Sequence, residues 1–230
     1  MSALKDKARA YYSAVNRYDA DAIEGMVTED YVQHNPHVPT GRAAFLKLLP
    51  KLKEHGSQIR NLRMIEDGSY VVMHHQWLNA APLGAERMAA FHIIRFDSQG
   101  LIAEHWSALT SDLADGSLTE GTTHLRELDR TLENKRHVAA IFSPGLGFSS
   151  KDASGRPNAG LTYARQHRVF GEGNFVLSIA EGTLRQTPCA IYDLFRLDAG
   201  RSVERWRIVQ ETPSTGAAND NTLFGFDPES

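Results

Sequence analysis

The sequence predicts a duplicated α+β protein, in which helices cover one face of an antiparallel sheet. Apolar residues recur at three- and four-residue steps over residues 4–18, which is typical of an amphipathic helix. From residue 59 the apolar period changes toward two, which is typical of strands. Three segments of the first half then return in the same order 100 to 105 residues later. A repeat of that length indicates two fused domains rather than a solenoid.

The repeated segments define the two copies. They are residues 67–72 with 172–177, 91–97 with 192–198, and 104–106 with 204–206. We therefore predict one domain at residues 1–112 and a second at 113–230. Residues 110–121 are polar and contain glycine, so they are the expected linker.

In the first copy the elements follow from periodicity and turn residues. Helices are expected at 4–18, at a short segment ending near residue 27, and at 43–52. Residues 31–41 hold two prolines and a glycine and are expected to be irregular. Strands are expected at 59–66, 70–79, 87–97 and 101–109, with a turn at Asp67-Gly68.

The second copy keeps the sheet and shortens the helical part. A helix is expected at 123–142, and residues 143–160 have the composition of a loop. Strands are expected at 161–170, 174–184, 188–198 and 202–211. The polar residues from Pro213 onward are expected to form an extended or mobile arm.

Composition narrows the function classes. The chain has 230 residues, of which 41% are hydrophobic and 23% charged, and its formal net charge is -3. This charge gives no electrostatic footprint for nucleic acid. There is no run of about 18 apolar residues and no apolar signal core near the N-terminus, so we expect no membrane span. Because the chain has a single cysteine, we expect a reducing, cytoplasmic location. Cys189 is the single cysteine, so no internal disulfide can form, and we expect it to be a small core residue.

One strand in each copy places an ionisable residue in an apolar row. In the first copy His92 alternates with Ala90, Ile94 and Phe96. In the second copy Asp193 takes the equivalent place. Burying such a group costs free energy unless it is paired or serves chemistry. This pattern allows two interpretations: each residue is either a hydrogen-bonded core residue or a functional one.

Other histidines surround this row. His105 and Ser107 share one face of the next strand, whereas His74 and His75 are adjacent and point to opposite faces, so only one of them can enter a shared pocket. His34 and Asn35 lie in a polar turn, where they could reach into a pocket or cap the following helix. We expect no metal site, because no His-x-x-x-His pair on a helix and no cysteine cluster is present.

Several of these segments resemble a known family. Residues 31–38, followed by Gly41 and Phe45, resemble the start of the SnoaL-like branch of the nuclear-transport-factor-like superfamily. Residues 96–106 are similar to its closing hairpin. In the second copy the resemblance covers residues 167–177, 192–196, 209–211 and 219–222.

The resemblance implies tandem cone-shaped α+β barrels, in which helices pack on a strongly curved, mostly antiparallel sheet around an apolar pocket. Two fused copies would form a pseudo-dimer within one chain, and a further homodimer is possible. It also implies cofactor-free chemistry: a proton is removed next to a carbonyl and the enolate is stabilised, as in aldol cyclisation or isomerisation. The family places an Asp directly after Glu-His-Trp, but here Ser107 and Arg207 follow the two motifs.

We therefore expect the N-terminal pocket to bind a small hydrophobic organic ligand and to act on it. The expected catalytic residues are His34, His92 and Ser107, with His92 as a base that titrates near neutral pH and His34, Asn35 or a second histidine holding the oxyanion. The expected substrate-binding residues are Tyr12, Tyr18, Asn35, His75, Trp77 and His105. In the second copy Asp193 is expected to pair with Arg207 as a structural remnant. The alternative is a non-catalytic binding or structural pseudo-dimer protein.

Overall fold

The described part of the chain divides into two units. The computed structural model describes residues 3–112, 117–142, 160–213 and 215–227. The first unit comprises Met1–Thr119 and Pro213–Gly225, and the second comprises Glu120–Thr212 and Phe226–Ser230. The C-terminal segment that the sequence placed with the second domain therefore groups with the first unit.

In the described part of the first unit there are four α-helices. They are α1 (Ala3–Arg17), α2 (Ala20–Glu24), α3 (Arg42–Leu46) and α4 (Leu49–Glu54). The apolar face of α1 buries Ala8, Tyr11, Tyr12 and Val15. The carboxylate of Asp19 caps α2 by accepting a hydrogen bond of 3.1 Å from the backbone N–H of Ala22.

The single helix predicted at 43–52 is wrong, because two short helices occupy this stretch. Lys47 and Leu48 separate α3 from α4, and Pro50 lies in the first turn of α4. Proline has no backbone N–H to donate to the preceding turn, so a continuous helix is disfavoured here.

The first sheet has five strands in the order β1-β5-β4-β3-β2. Its strands are β1 (Val27–Gln33), β2 (Gln58–Asp67), β3 (Tyr70–Leu78), β4 (Arg87–Phe96) and β5 (Ile102–Ser111). The predicted meander corresponds to β2–β5, whose neighbours are antiparallel.

Strand β1 was not predicted. It lies at the sheet edge, runs parallel to β5, and has a register break between Val27 and Val32. Its middle residues Glu29 and Asp30 are exposed, so the alternation of apolar residues is interrupted. Residues 31–33 therefore belong to a strand rather than to an irregular segment.

The two faces of the first sheet have different partners. One face packs against α1, and its buried cluster joins Tyr12 and Val15 to Met73, Ala90 and Ile94. We call this the helix-covered face. Strand alternation places His74, Phe91 and Trp106 on the other side, which we call the opposite face.

Within its described residues, the second unit contains one α-helix and a four-stranded sheet. The helix α5 spans Thr131–Ile141, and the strands are β6 (Leu161–Glu172), β7 (Phe175–Leu184), β8 (Thr187–Asp198) and β9 (Arg201–Glu211). These strands form an antiparallel sheet in sequence order. Val138 of α5 packs against Val169, Val176, Phe195 and Leu197. The helix is shorter than the predicted 123–142, and the predicted loop lies, up to residue 159, outside the described residues.

The structure thus shows α+β architecture with two sheets and few helices. Both units contain an antiparallel meander of four strands, but duplication and closure into a cone stay predictions. No helix within the described residues is long and apolar enough to cross a membrane.

The equivalent turns at Gly68 and Gly173 give a matched test of the fold. Both glycines have positive φ, of 62° and 56°. A Cβ on Gly68 would meet nothing within 4 Å, whereas one on Gly173 would lie 2.0 Å from the backbone oxygen of Arg126. We expect Gly68→Ala to lower the free energy of unfolding by about 1 kcal/mol, from left-handed strain alone. Gly173→Ala should cost about 3 kcal/mol or more, because the strain adds to a backbone clash.

Urea unfolding of both variants measures this difference. Equal losses of stability at the two turns would contradict the packing around Gly173.

Candidate functional site

A series of hydrogen bonds, which we call the histidine chain, crosses the helix-covered face of the first sheet. The indole N–H of Trp77 lies 3.2 Å from Nε2 of His92. Nδ1 of His92 is 2.9 Å from Nε2 of His105, and Nδ1 of His105 is 2.8 Å from the hydroxyl of Tyr31. The side-chain amide of Gln33 donates to the same hydroxyl at 3.1 Å. Four strands therefore contribute to one buried polar network.

Trp77 sets the direction of this chain. An indole N–H can only donate, so Nε2 of His92 accepts and carries no proton. Neutral His92 then donates from Nδ1 to Nε2 of His105, and His105 donates from its own Nδ1 to Tyr31. The donor-only indole thus selects the tautomer of His92, and the hydrogen bond from His92 assigns that of His105, whose Nδ1 also lies 3.1 Å from the side-chain amide nitrogen of Gln33.

Both histidines of the chain are held neutral. Burial lowers the pKa of His92 well below its usual value, and the neighbouring His75 lowers it further. Burial likewise lowers the pKa of His105, helped by His92 and His34. The expectation that His92 titrates near neutral pH is therefore wrong. Its accepting nitrogen is also occupied by Trp77, so it is a poor base in this arrangement.

His75 has a different environment. Its side chain is fully buried, and neither ring nitrogen has a hydrogen-bond partner within the described residues. The ring of Tyr12 packs edge-on at 4.4 Å between centroids, and the hydroxyl of Tyr12 is also unpaired there. Buried polar atoms are nearly always hydrogen-bonded in proteins, so these three atoms call for an explanation.

These two side chains line a cleft between α1, β2 and β3. Its volume is about 180 Å³. The lining residues are Ala8, Arg9, Tyr12, Ser13, Asn16, Ile59, Asn61, Met64 and His75. We call it the His75 cleft. His75 and Tyr12 both contribute to its lining, and their three unpaired atoms are buried directly behind it.

The two residues with unpaired atoms at the His75 cleft are neutral, whereas the Arg9 side chain in its lining is paired with Asp6 at 2.8 Å. Burial lowers the pKa of His75 to about 3, with the charges of His74 and His105 as smaller causes. Burial raises the pKa of Tyr12 well above its usual value, and Tyr11 adds to this. At neutral pH the imidazole therefore offers one N–H donor and one accepting nitrogen, and the phenol offers an O–H donor.

The alternative between His74 and His75 is resolved by the sheet. His74 lies on the opposite face, where Nη1 of Arg63 is 3.0 Å from its Nδ1 and Phe91 packs on its ring. His75 is the one that faces α1. This agrees with strand alternation but could not be read from the sequence, because either face could have been the covered one.

Ser107 and Asn35 form a separate pair beside the chain. Ser107 lies opposite His92 in the register of β4 and β5. The side-chain amide of Asn35 donates to the Ser107 hydroxyl oxygen at 3.0 Å and to its carbonyl at 3.2 Å. Both side chains are buried. Asn35 thus positions Ser107, and neither atom pair reaches the lining of the His75 cleft.

The expected place of His34 beside His92 is wrong. His34 stacks on Trp106, with ring centroids 4.1 Å apart and planes 5° apart. Trp106 follows His105 directly, so its side chain lies on the opposite face of β5. His34 is therefore separated from the histidine chain by the sheet itself, and it cannot share an oxyanion with His92.

The expected place of Tyr18 in the pocket is also wrong. Tyr18 has a φ of 57° at the end of α1, and its hydroxyl donates to the carbonyl of Ser57 at 2.8 Å. Gln58 donates to the same hydroxyl at 3.0 Å. Tyr18 fixes the start of β2 and does not line the His75 cleft.

Tyr31 and Gln33 are members of the chain that sequence reasoning missed as site residues. Both project from β1, and both are almost fully buried. The signal was present as alternation within Tyr31-Val32-Gln33, but the nearby prolines favoured an irregular segment.

The ion pair predicted in the second unit is present. Nε of Arg207 donates to Asp193 at 2.7 Å, and the Tyr163 hydroxyl donates to the other carboxylate oxygen at 2.5 Å. Arg205 lies 3.8 Å from the same carboxylate. Sequence reasoning missed Tyr163 and Arg205. Burial of a neutralised and hydrogen-bonded carboxylate suits a structural role.

No group of three or more His, Cys, Asp or Glu side chains within the described residues is arranged to hold a metal ion. In the histidine chain, ring nitrogens contact each other directly through a hydrogen bond.

The contrast between His75 and His92 gives a stability test. His75→Phe removes unpaired buried nitrogens next to a cleft, so we expect the free energy of unfolding to rise by about 1 kcal/mol. His92→Phe leaves the Trp77 N–H and Nε2 of His105 without partners and should lower it by about 3 kcal/mol. Urea unfolding at neutral pH measures both. A large loss in His75→Phe would show that its nitrogens are bound within the protein.

Comparison with known proteins agrees with the resemblance read from the motifs. The family described as SnoaL-like domain matches residues 8–105, which span α1 to the middle of β5. No curated protein matches the chain.

Three solved structures illustrate the similarity. A protein of unknown function with a cystatin-like fold from Methylobium petroleophilum PM1 is 17% identical, with 49% of this chain and 79% of that chain covered and a TM-score of 0.43. IdmH from Streptomyces antibioticus, described as a candidate polyketide cyclase, is 17% identical over 47% of this chain and 92% of its own, with a TM-score of 0.41. A candidate ketosteroid isomerase from Kribbella flavida DSM 17836 is 19% identical over 53% of this chain and 90% of its own, with a TM-score of 0.41.

Identities this low do not identify the chemistry of this chain, which has to be inferred from its own residues. The matched residues run from α1 into β5 and include most of the first-copy motifs, which lie at residues 31–45 and 96–106. The chain therefore matches the SnoaL-like domain family over residues 8–105.

Proposed function

We propose that the SnoaL-like domain is a cofactor-free small-molecule enzyme that moves a proton next to a carbonyl group, in an isomerisation or cyclisation. The observation that carries the proposal is the unpaired, fully buried imidazole of His75 beside the unpaired hydroxyl of Tyr12, at the His75 cleft. Unpaired buried polar atoms raise the free energy of the empty protein, and a ligand that pairs them lowers it.

The size of the cleft limits the substrate. A dry protein cavity of roughly 150 Å³ holds one benzene ring. The His75 cleft, at about 180 Å³, therefore suits a single ring or a short chain. His75 and Tyr12 are neutral and the Arg9 guanidinium is already paired with Asp6, so a neutral carbonyl compound fits the cleft better than an ion, which would lose hydration.

Tyr12 and His75 supply complementary groups. The hydroxyl of Tyr12 donates to the substrate's carbonyl oxygen. The accepting nitrogen of His75 takes the proton from the adjacent carbon, and the C–H electron pair becomes the C=C bond of the enol or enolate. Return of the proton to a different carbon gives isomerisation. Attack of the deprotonated carbon on a second carbonyl gives cyclisation.

The low pKa of His75 sets a condition on this step. An imidazole with a pKa of about 3 is a weak base in the empty cleft. Negative charge that develops on the substrate favours the imidazolium form, so basicity rises as the enolate forms. The reaction therefore suits substrates whose carbon-bound proton is already acidic, such as 1,3-dicarbonyl compounds.

In this proposal the histidine chain positions rather than reacts. His92 contacts His75, with ring centroids 5.2 Å apart, and is itself fixed by Trp77. Ser107 is held by Asn35. These residues keep the floor of the helix-covered face rigid and neutral beneath the cleft.

A non-catalytic binding domain is the second candidate. It is favoured by the lining of the His75 cleft, which contains no carboxylate that could act as a strong base. A domain of this kind would pair the same atoms of His75 and Tyr12 with a ligand but leave the ligand unchanged.

Proton exchange at carbon tests the proposal. Acetylacetone and cyclohexanone in D2O are followed by NMR, and we expect the protein to accelerate loss of the α-proton signal. His75→Phe and Tyr12→Phe should each lower this rate by about 100-fold. Between about pH 5 and 8 the rate should show no histidine titration, because His75 stays neutral throughout.

Tyr11→Phe is the matched control, because Tyr11 is the neighbouring buried tyrosine and does not line the cleft. It should keep the full rate. Saturable binding of these compounds without faster exchange would instead support the binding domain. An equal loss of rate in Tyr11→Phe and Tyr12→Phe would contradict the assigned role of Tyr12.

A further inference from the structure

His34 makes two short contacts that a neutral histidine cannot satisfy. Its Nδ1 lies 2.7 Å from the carbonyl oxygen of Thr222, and its Nε2 lies 2.9 Å from a carboxylate oxygen of Glu104. Both partners can only accept a hydrogen bond. A neutral imidazole carries one N–H, whereas an imidazolium carries two. The geometry therefore corresponds to a protonated His34 that donates to both sides.

The surroundings of His34 supply the counter-charge. Burial raises the pKa of Glu104, but hydrogen bonds from His34 and Arg95 outweigh this, and the resulting pKa lies below its usual value. Nε of Arg95 donates to the other carboxylate oxygen at 2.8 Å. The charged or titratable groups around His34 are thus Glu104 of β5, Arg95 of β4, and His105 across the sheet. Residues 222–225 add no ionisable side chain.

The segment that contains Thr222 lies along residues 33–38. The side-chain amide of Asn219 donates to the carbonyls of Asn35 and Val38, at 2.8 and 2.7 Å. Asn221 donates to the carbonyl of Gln33 at 2.9 Å. The backbone N–H of Ala218 donates to the carbonyl of residue 36 at 2.7 Å. We call residues 218–225 the strap.

The strap holds residues that reach the interior. Gln33 bonds Tyr31 and so contacts the end of the histidine chain, and Asn35 holds Ser107. The backbone carbonyls of both residues are bound by the strap. Loss of the strap would free the backbone that fixes these two side chains.

We propose that the strap is a pH-sensitive fastening, closed while His34 is protonated and released when His34 loses its proton. The sign follows from the hydrogen bonds. At lower pH the imidazolium donates to Thr222 and to anionic Glu104 at once. At higher pH the single remaining N–H donates to only one of these partners. The unprotonated ring nitrogen then faces the acceptor oxygen of the other, and the two repel. The strap is thus stable at low pH and weakened as pH rises.

Hydrogen exchange on the full chain tests this proposal. Protection of the Ala218 amide, corrected for the intrinsic effect of pH, is compared at about pH 5.5 and 8.5, on either side of the range in which histidines commonly titrate. We expect protection to fall roughly tenfold or more at the higher pH, as one charge-assisted hydrogen bond is lost. In His34→Gln protection should be low at both values.

The control is His55→Gln, which replaces an exposed histidine of α4's C-terminal cap and should keep the wild-type response. A second measurement needs no substitution: long-range 1H–15N NMR distinguishes an imidazolium from either neutral tautomer. Equal protection at both pH values, or a wild-type response in His34→Gln, would overturn the proposal. So would a neutral His34 while the Ala218 amide stays protected.

Discussion

The hydrogen bond from the Trp77 indole to His92 organises the interior of the first unit. The indole can only donate, so it fixes the accepting nitrogen of His92 and, through it, the tautomer of His105. Burial keeps both rings uncharged, which is the condition under which a row of imidazoles can share one sheet face. The arrangement satisfies the polar atoms of His92 within the protein and leaves those of His75 unsatisfied.

That difference separates a structural histidine from a functional one. His92 and His75 lie on the same face, one strand apart, and both are buried and neutral. Of these two histidines, only His75 has ring nitrogens without partners in the described residues, and only His75 lines the cleft. Low exposure and a lowered pKa are therefore common to both histidines. They differ in whether their ring nitrogens have hydrogen-bond partners.

Much of the fold could be predicted from the sequence, because its strands are long and regularly alternating. The strand boundaries of both meanders lie within about two residues of the predicted ones. Strand β1 could not be predicted, since its pairing partner β5 is distant in sequence and its centre is polar. The division of residues 43–54 into two helices depends on Pro50, whose effect the apolar spacing of the leucines concealed.

The candidate site was only partly predictable, for a related reason. Alternation correctly grouped His92 with His105 and Ser107 and made His74 and His75 exclusive choices. It could not place His34, because a residue just beyond a strand end can turn to either face. In the structure a stack on Trp106 and an ion pair with Glu104 hold it on the opposite face. Partners distant in sequence decided these positions, and periodicity carries no information about them.

The central claim is that ligand contact falls on His75 rather than on His92. Long-range 1H–15N NMR of the histidine rings during titration with acetylacetone tests it most directly. The account predicts that the ring nitrogen signals of His75 shift as ligand is added, while His92 keeps its proton on Nδ1 throughout. A shift of the His92 signals with His75 unchanged would contradict the account.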